Sequence, residues 1–424
     1  MRQEEIDALT LEDFAESGGR SEKEIKTFHE LRKKVIEAGL YAMEPIRMNP
    51  PVTTIEIERQ SGEKFTLLNF STYNYLGYAT HPQVIQSAKD ALDEYGLGCT
   101  AAPSAGGFLN IHRLFEQKLI DFFGLQGRNV TLFNSGFAAL VGTITAYIHR
   151  EDCVIADKNS HASILDGMAL SQGEMFFFKH NNMDHLEAIL KDIDDGKRRI
   201  LICTEGCFSV DGDYGKVREI TKLAKKYGAT TLVDEAHSFL VAGPNGKGVC
   251  EEQGVLEDVD FILGTMSKTF AGIGGFLFAK EEISNYVNFF ARNRMFSCAL
   301  DPAVTGGMLA VLQLATGDDG KKRRERLIKN TEYLRNILGQ SVNLVAGGDT
   351  WVVPVLFGSD NVTRPLEDFL QRNGLAAPLM VYPAVRKNKG RIRLFVTSEH
   401  TKEQLEQARD IIVKAAEEFG FLKS

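Results

Sequence analysis

Between about residue 80 and residue 280, short apolar runs alternate with stretches of helical period, and this alternation restricts the fold more than any other feature of the chain. The runs are Val130–Phe133, Arg199–Thr204, Thr230–Val233, Phe261–Leu263 and Gly274–Ala279. Between the second and third, Val217, Ile220, Leu223, Ala224 and Tyr227 fall on one face of a helix over Lys216–Tyr227, and Gly228 stands where a C-terminal cap belongs. Strand–helix–strand alternation predicts an α/β fold with a mostly parallel central sheet. Upstream, Thr53–Phe70 alternates and turns at Ser61-Gly62, which predicts a hairpin. After Pro302 come long helical periods and then the alternating WVVPVLF and RIRLFVT, which predict a smaller α+β domain. The expected division is an N-terminal arm and hairpin over 1–60, a large domain over 61–300 and a small C-terminal domain over 301–424.

Composition narrows the function. With 424 residues the chain exceeds one simple core. Its net charge of −8 gives no support to nucleic-acid binding, which needs clustered cations. The one basic run, Lys321-Lys322-Arg323-Arg324, is read as a solvated helix start rather than a docking patch. The six cysteines include no CxxC pair and no zinc spacing, so free thiols and no metal site are expected. No apolar stretch approaches the roughly 18 residues of a membrane span. The opening MRQEEIDALTLEDFAESGG has no charged-then-apolar signal pattern, and a cytoplasmic enzyme is expected.

Ligand sites in open α/β sheets lie beyond the carboxyl ends of the strands. Three such ends stand out. Asp234 and His237 follow Thr231-Leu232-Val233; Thr265, Ser267 and Lys268 follow another run; and Asn134-Ser135-Gly136-Phe137 leaves a third and opens a helix. Taken singly, each has an ordinary role as a solvated lysine, a helix cap or a turn. Jointly and in this order they suit pyridoxal 5′-phosphate (PLP). The cofactor needs a lysine amine for its covalent link, here Lys268, and an acid facing the pyridine nitrogen, here Asp234. Its phosphate needs N–H groups at a helix start, which Gly136 and Phe137 supply, with Thr265 and Ser267 adding hydroxyls.

These residues resemble the α-oxoamine synthases, a branch of the fold-type-I, aspartate-aminotransferase-like PLP enzymes. The resemblance runs from about Phe70 to the C-terminus. It is carried by Asn74-Tyr75-Leu76-Gly77, Asn134–Ala139, Ser160-His161-Ala162-Ser163, Asp211-Gly212-Asp213, Val233–His237 and Gly264–Lys268. Gly243–Val249, Ser71–Asn74 and Asp157–His161 look most like the bacterial serine palmitoyltransferase branch. The resemblance implies a C-acyltransferase (EC 2.3.1 type) that joins an amino acid of serine, alanine or glycine type to an acyl thioester of coenzyme A or acyl carrier protein. Carbon dioxide is lost and an α-amino ketone forms. It further implies that Lys268 moves the α-proton, that His237 and Ser209 lie near the ring's phenolic oxygen, and that His161 stacks on the ring face. Arg393 would hold the substrate carboxylate, for which a bidentate guanidinium is suited, and Asn74 would contact substrate. Ser297 would reach the phosphate of a partner subunit, since the family's active sites are shared in a homodimer.

One segment departs from the family. Where its members usually carry a hydroxyl residue and an arginine after Tyr-Gly-x-Gly, this chain has Ala102 and Pro103. The expected result is a less polar, roomier pocket and an unusual substrate pair, which spectral titration with glycine, alanine, serine and larger amino acids tests. Two rival functions remain at the sequence level. An aminotransferase or lyase of the same fold is separated by amino-acid-dependent thiol release. A non-catalytic partner subunit would lack the linking lysine, and Lys268 is present.

Overall fold

The computed structural model describes residues 22–39 and 41–423. Residues 1–21 of the expected N-terminal arm lie outside the described residues; the part that follows begins with a helix over Glu22–Glu37. In chain order the strands are β1 (Ile46–Arg47), β2 (Thr54–Glu58), β3 (Lys64–Asn69), β4 (Arg128–Phe133), β5 (Cys153–Asp157), β6 (Glu174–Phe178), β7 (Ile200–Glu205), β8 (Thr230–Asp234), β9 (Phe261–Thr265), β10 (Gly275–Lys280), β11 (Val352–Gly358), β12 (Leu375–Ala376), β13 (Leu379–Met380) and β14 (Gly390–Phe395). The chain forms two compact units. One gathers the chain up to Gly77 with Val210–Gly212 and Glu325–Ser424; the other comprises Tyr78–Ser209 and Asp213–Arg324.

The second unit is built on a seven-stranded sheet in the order β4-β10-β9-β8-β7-β5-β6. Strands β6, β5, β7, β8 and β9 run parallel, while β10 is antiparallel to both β9 and β4. Every residue of β5, β7 and β9 is buried, as expected where helices cover both faces of a parallel sheet and leave no solvated side to alternate with. Val154, Ala156, Leu201, Cys203, Leu232, Phe261, Leu263 and Leu277 point into one core cluster with Ala139, Leu140 and Ile144 of the helix Gly136–Tyr147. The helix Val217–Tyr227 ends on Gly228, whose φ of 62° is left-handed and whose N–H closes onto the Ala224 carbonyl. That is the cap the sequence predicts.

In the basic run at 321–324, near the start of the helix Asp318–Gly339, Lys321 and Lys322 are exposed to solvent and the two arginines are held locally. Arg323 Nε donates to Asp319 at 2.7 Å and its guanidinium covers the Tyr78 ring at 4.9 Å, while Arg324 is buried with Nη1 2.7 Å from the Ala315 carbonyl. All six cysteines are free thiols, and among the described residues no helix is long and apolar enough to cross a membrane.

The first unit holds two sheets, β1-β2-β3-β12 and β11-β14-β13. Strands β2 and β3 form the predicted hairpin, with Gly62 at φ 88° in its turn. His400 is buried and stacks on Phe70 at 4.1 Å. Its Nδ1 accepts the Thr397 N–H at 3.0 Å and its Nε2 donates to the Asn69 carbonyl at 3.1 Å, a pattern only the neutral ring can make. Burial lowers its pKa to about 4, against the opposing pull of the Asn69 carbonyl. An unfolded histidine takes up its proton near ~6.5. Stability from this group is therefore complete above that pH and is lost as pH falls toward 4, by on the order of 3 kcal/mol. Denaturant midpoints measured at neutral and mildly acid pH are expected to show this loss, and His400→Gln is expected to flatten it.

Candidate active site

Four strand ends along one edge of the large sheet bring the predicted residues together. Asp234 closes β8 and is buried, with Oδ1 accepting the Ala236 N–H at 2.9 Å. Desolvation raises its pKa, while the positive charge of Lys268 and then that of His161 pull it back. Lys268 lies three residues beyond β9 and is half-buried. His161 caps the helix Ala162–Ser171 after β5. Its Nδ1 accepts from the Ser163 N–H (3.3 Å) and lies 2.7 Å from the Ser163 hydroxyl, so the ring proton sits on Nε2. Desolvation lowers the His161 pKa, Asp234 raises it and Lys268 lowers it further. An amine, a carboxyl and an imidazole from β9, β8 and β5 thus sense one another's charge.

A carboxyl that the sequence reading missed completes this group. Glu205 ends β7 directly beside Asp234 in the sheet register, is buried, and accepts the His161 N–H at 2.7 Å. Desolvation and the neighbouring Asp234 raise its pKa well above the ordinary value. The rule that exposed Asp234, an acid closing an apolar run, applies equally to Glu205. The adjacent Glu235 has a different job: its carboxylate accepts the N–H groups of Val249 (2.9 Å) and Cys250 (2.8 Å) and the Ser238 hydroxyl, fixing the start of the short helix Val249–Glu252.

A helix start suited to an anion lies where β4 turns into the helix Gly136–Tyr147. Ser135 caps that helix by accepting the Ala138 N–H at 3.0 Å, and the first-turn N–H groups of Gly136 and Phe137 are those an anion would meet. Thr265 Oγ1 lies 2.8 Å from Ser267 Oγ. A Cβ on Gly136 would stand 2.7 Å from the Thr265 Cβ, so the helix start can reach these hydroxyls only through glycine. The Phe137 ring lies edge-on to His161 at 6.4 Å, tying the anion end to the acid–base end. Ser209 is half-buried after β7, His237 is buried in the turn after β8, and Ser297 is half-buried after the short helix Arg292–Met295.

A dry acid, an amine and a helix start beside hydroxyls form the donor set that PLP requires, and the missing side chain at Gly136 lets that helix start approach Thr265 closely. The two remaining predicted residues belong to the other unit. Arg393 lies in β14, nine-tenths buried, with its guanidinium 5.0 Å over Phe395; burial draws its pKa down and the Tyr73 hydroxyl opposes that. Two residues earlier on the same strand face, Arg391 pairs with Asp211. Asn74 is buried, and its amide donates to the Pro51 carbonyl at 3.2 Å.

Such a site on a mostly parallel sheet defines a fold-type-I PLP enzyme. The sequence profile of aminotransferase class I and II matches residues 66–412. An 8-amino-7-oxononanoate synthase of Alkaliphilus metalliredigens is 35% identical over 395 residues, covering 92% of this chain and 98% of the relative. One from Thermoanaerobacter pseudethanolicus is 36% identical, covering 84% of this chain and 88% of the relative. Among solved structures, a serine palmitoyltransferase of S. paucimobilis with bound PLP superposes with a TM-score of 0.87 at 28% identity, covering 94% of this chain and 98% of that one. The chain therefore belongs to the aminotransferase class I and II family and, within it, to the PLP-dependent α-oxoamine synthases.

Proposed function

We propose that this chain condenses a small amino acid, of the serine, alanine or glycine type, with an acyl thioester to give an α-amino ketone, carbon dioxide and a free thiol. The observation that carries the proposal is the placement of Lys268, Asp234 and His161 just beyond the carboxyl ends of β9, β8 and β5 on one side of the parallel sheet. Bound PLP supplies an electron-poor ring that takes up charge developing at the amino acid's α-carbon. Lys268 is the amine that anchors the cofactor and carries the α-proton. Asp234, buried and acceptor-only when ionised, holds a proton on the ring nitrogen. His161 covers the ring face and offers its Nε2–H to the incoming carboxylate or thioester carbonyl. His237 and Ser209 sit toward the phenolic oxygen. Gly136, Phe137, Thr265 and Ser267 hold the phosphate.

Arg393 fits the substrate carboxylate because burial leaves its charge little water to prefer instead. Arg393→Lys keeps the charge but loses the fork, and is expected to raise KM for the amino acid about 10- to 100-fold with a smaller change in kcat. Steady-state kinetics with the amino acid varied check this. Ala102 and Pro103 open a tight turn ending at Gly106, with the Ala101 carbonyl accepting the Ala299 N–H at 3.1 Å. They place two apolar residues where the resemblance expects a hydroxyl and an arginine, which supports a roomier amino-acid pocket. The proposal extends to a cytoplasmic homodimer in which Ser297 reaches the phosphate of the second copy. The exposed neighbours Phe296 and Phe289 are consistent with a covered face, and sedimentation of the holoenzyme reads the assembly state.

The deciding experiment is a matrix of amino acids against thioesters of coenzyme A and of acyl carrier protein, scored by thiol release and product mass. Thiol release that needs an amino acid supports the proposal. An amino-group transfer without thiol release would replace it with an aminotransferase.

A further inference from the structure

Behind the site, three loops meet on one histidine. His180 follows β6, and its ring lies between two carboxylates: Nδ1 is 2.9 Å from Asp157 Oδ1 and Nε2 is 2.8 Å from Asp213 Oδ2. Ionised carboxylates only accept, so both ring nitrogens donate and the ring is an imidazolium. Burial pushes its pKa down, but the bonds to Asp157 and Asp213 outweigh that and raise it to about 10. With both nitrogens protonated, the ring keeps no lone pair for a metal ion. Phe208 fixes its orientation edge-on at 4.6 Å.

The two carboxylates are the ends of the loops that matter for the chemistry. Asp157 is the last residue of β5, fully buried, and opens the loop that carries His161; its Oδ1 also accepts the Asn159 N–H at 2.9 Å. Its Oδ2 accepts the Asn181 N–H at 2.9 Å. Asp213 lies beyond Ser209 in the segment that leaves β7, where its carbonyl accepts the Phe208 N–H at 2.9 Å. Asn181, left-handed at φ 49°, braces the junction by donating to Asp213 Oδ2 (3.0 Å) and the Tyr214 carbonyl (3.0 Å) and accepting the Lys216 N–H (3.1 Å). Without the cation two carboxylates would face one another across the junction of the β5 and β7 loops.

We propose that His180 is a positioning residue: as a cation joining Asp157 to Asp213, it fixes the loop that presents His161 and so places that imidazole for the condensation. The inference rests on the role proposed above for His161. In the holoenzyme, His180→Asn is expected to lower kcat about 10- to 100-fold, the scale of a side chain misplaced by about 1 Å, with KM for the amino acid changed by less than about threefold. The bound cofactor should keep its visible absorbance while its visible circular dichroism changes, because the asymmetry of its surroundings depends on His161. The double variant His180→Asn/Asp213→Asn removes one of the two facing carboxylates and with it their repulsion; its melting temperature should recover while its kcat stays low. Nitrogen-15 NMR of the wild type near pH ~8 should find both His180 ring nitrogens protonated. The proposal is overturned by a neutral His180 at that pH, by a single variant that turns over like the wild type, or by a double variant whose rate recovers together with its melting temperature. A wild type that releases no thiol with any substrate pair would overturn the proposed function instead, and the NMR and dichroism would still decide the part played by His180.

Discussion

Lys268→Ala is expected to give a folded protein that shows no absorbance near ~420 nm when PLP is added and releases thiol about 10²–10⁴ times more slowly than the wild type. The fold should survive because Lys268 is half-buried on a loop closed by its own backbone, with the Ala271 N–H on the Lys268 carbonyl and the Met266 N–H on the Gly274 carbonyl, each at 2.9 Å. Losing the amine removes both the cofactor's anchor and the carrier of the α-proton. PLP should still be retained in part through Gly136, Thr265 and Ser267, so equilibrium dialysis would find coenzyme without the band. A variant that turned over at the wild-type rate would remove Lys268 from the chemistry.

Asp234→Asn should separate activity from stability in opposite directions. The ring nitrogen would lose the acid that keeps it protonated, and kcat is expected to fall about 10²–10³-fold, the scale of one preorganised electrostatic partner. In the cofactor-free protein the same change should raise stability. Desolvation holds the Asp234 pKa above its ordinary value, so the buried carboxyl binds its proton more tightly than in the unfolded chain. Stability from that proton is complete below the unfolded pKa of about 3.9 and is lost as pH rises through the raised folded value, so the acid costs stability at neutral pH. An amide has no charge to desolvate and so escapes the ionisation part of that cost. Thermal melts of both cofactor-free proteins at neutral pH check the sign; a melting temperature that drops in Asp234→Asn would show that the carboxylate stabilises even without its ring.

The parts of this site that could be read from the sequence follow simple local rules. Asp234 and Lys268 each come just after a run of buried residues, and Gly136 opens a helix directly after another. Strands β5 and β6 obey the same rule, with four successive apolar residues each at Cys153–Ala156 and Met175–Phe178, but the sequence reading passed over them. Glu205 closes a buried strand just as Asp234 does and was legible by the same rule, but the sequence reading passed over it. The cation at His180 was invisible for a different reason: its partners are 23 and 33 residues away, and only the parallel pairing of β6, β5 and β7 brings them within bonding distance. Arg391 and Arg393 share one strand face, so periodicity cannot tell them apart; what separates them is Asp211, which pairs with the first.

The parallel register of the large sheet has a consequence for how the protein acquires its colour. His161, Glu205, Asp234 and Lys268 sit on four neighbouring strands, and a parallel neighbour can be reached only by a crossover through a covering helix. No stretch of the chain short enough to fold early contains the coenzyme's whole seat. During refolding, the yellow of bound vitamin B6 should therefore return after far-ultraviolet ellipticity has recovered, making the coenzyme a built-in reporter of the last strand pairings rather than a seed for the first.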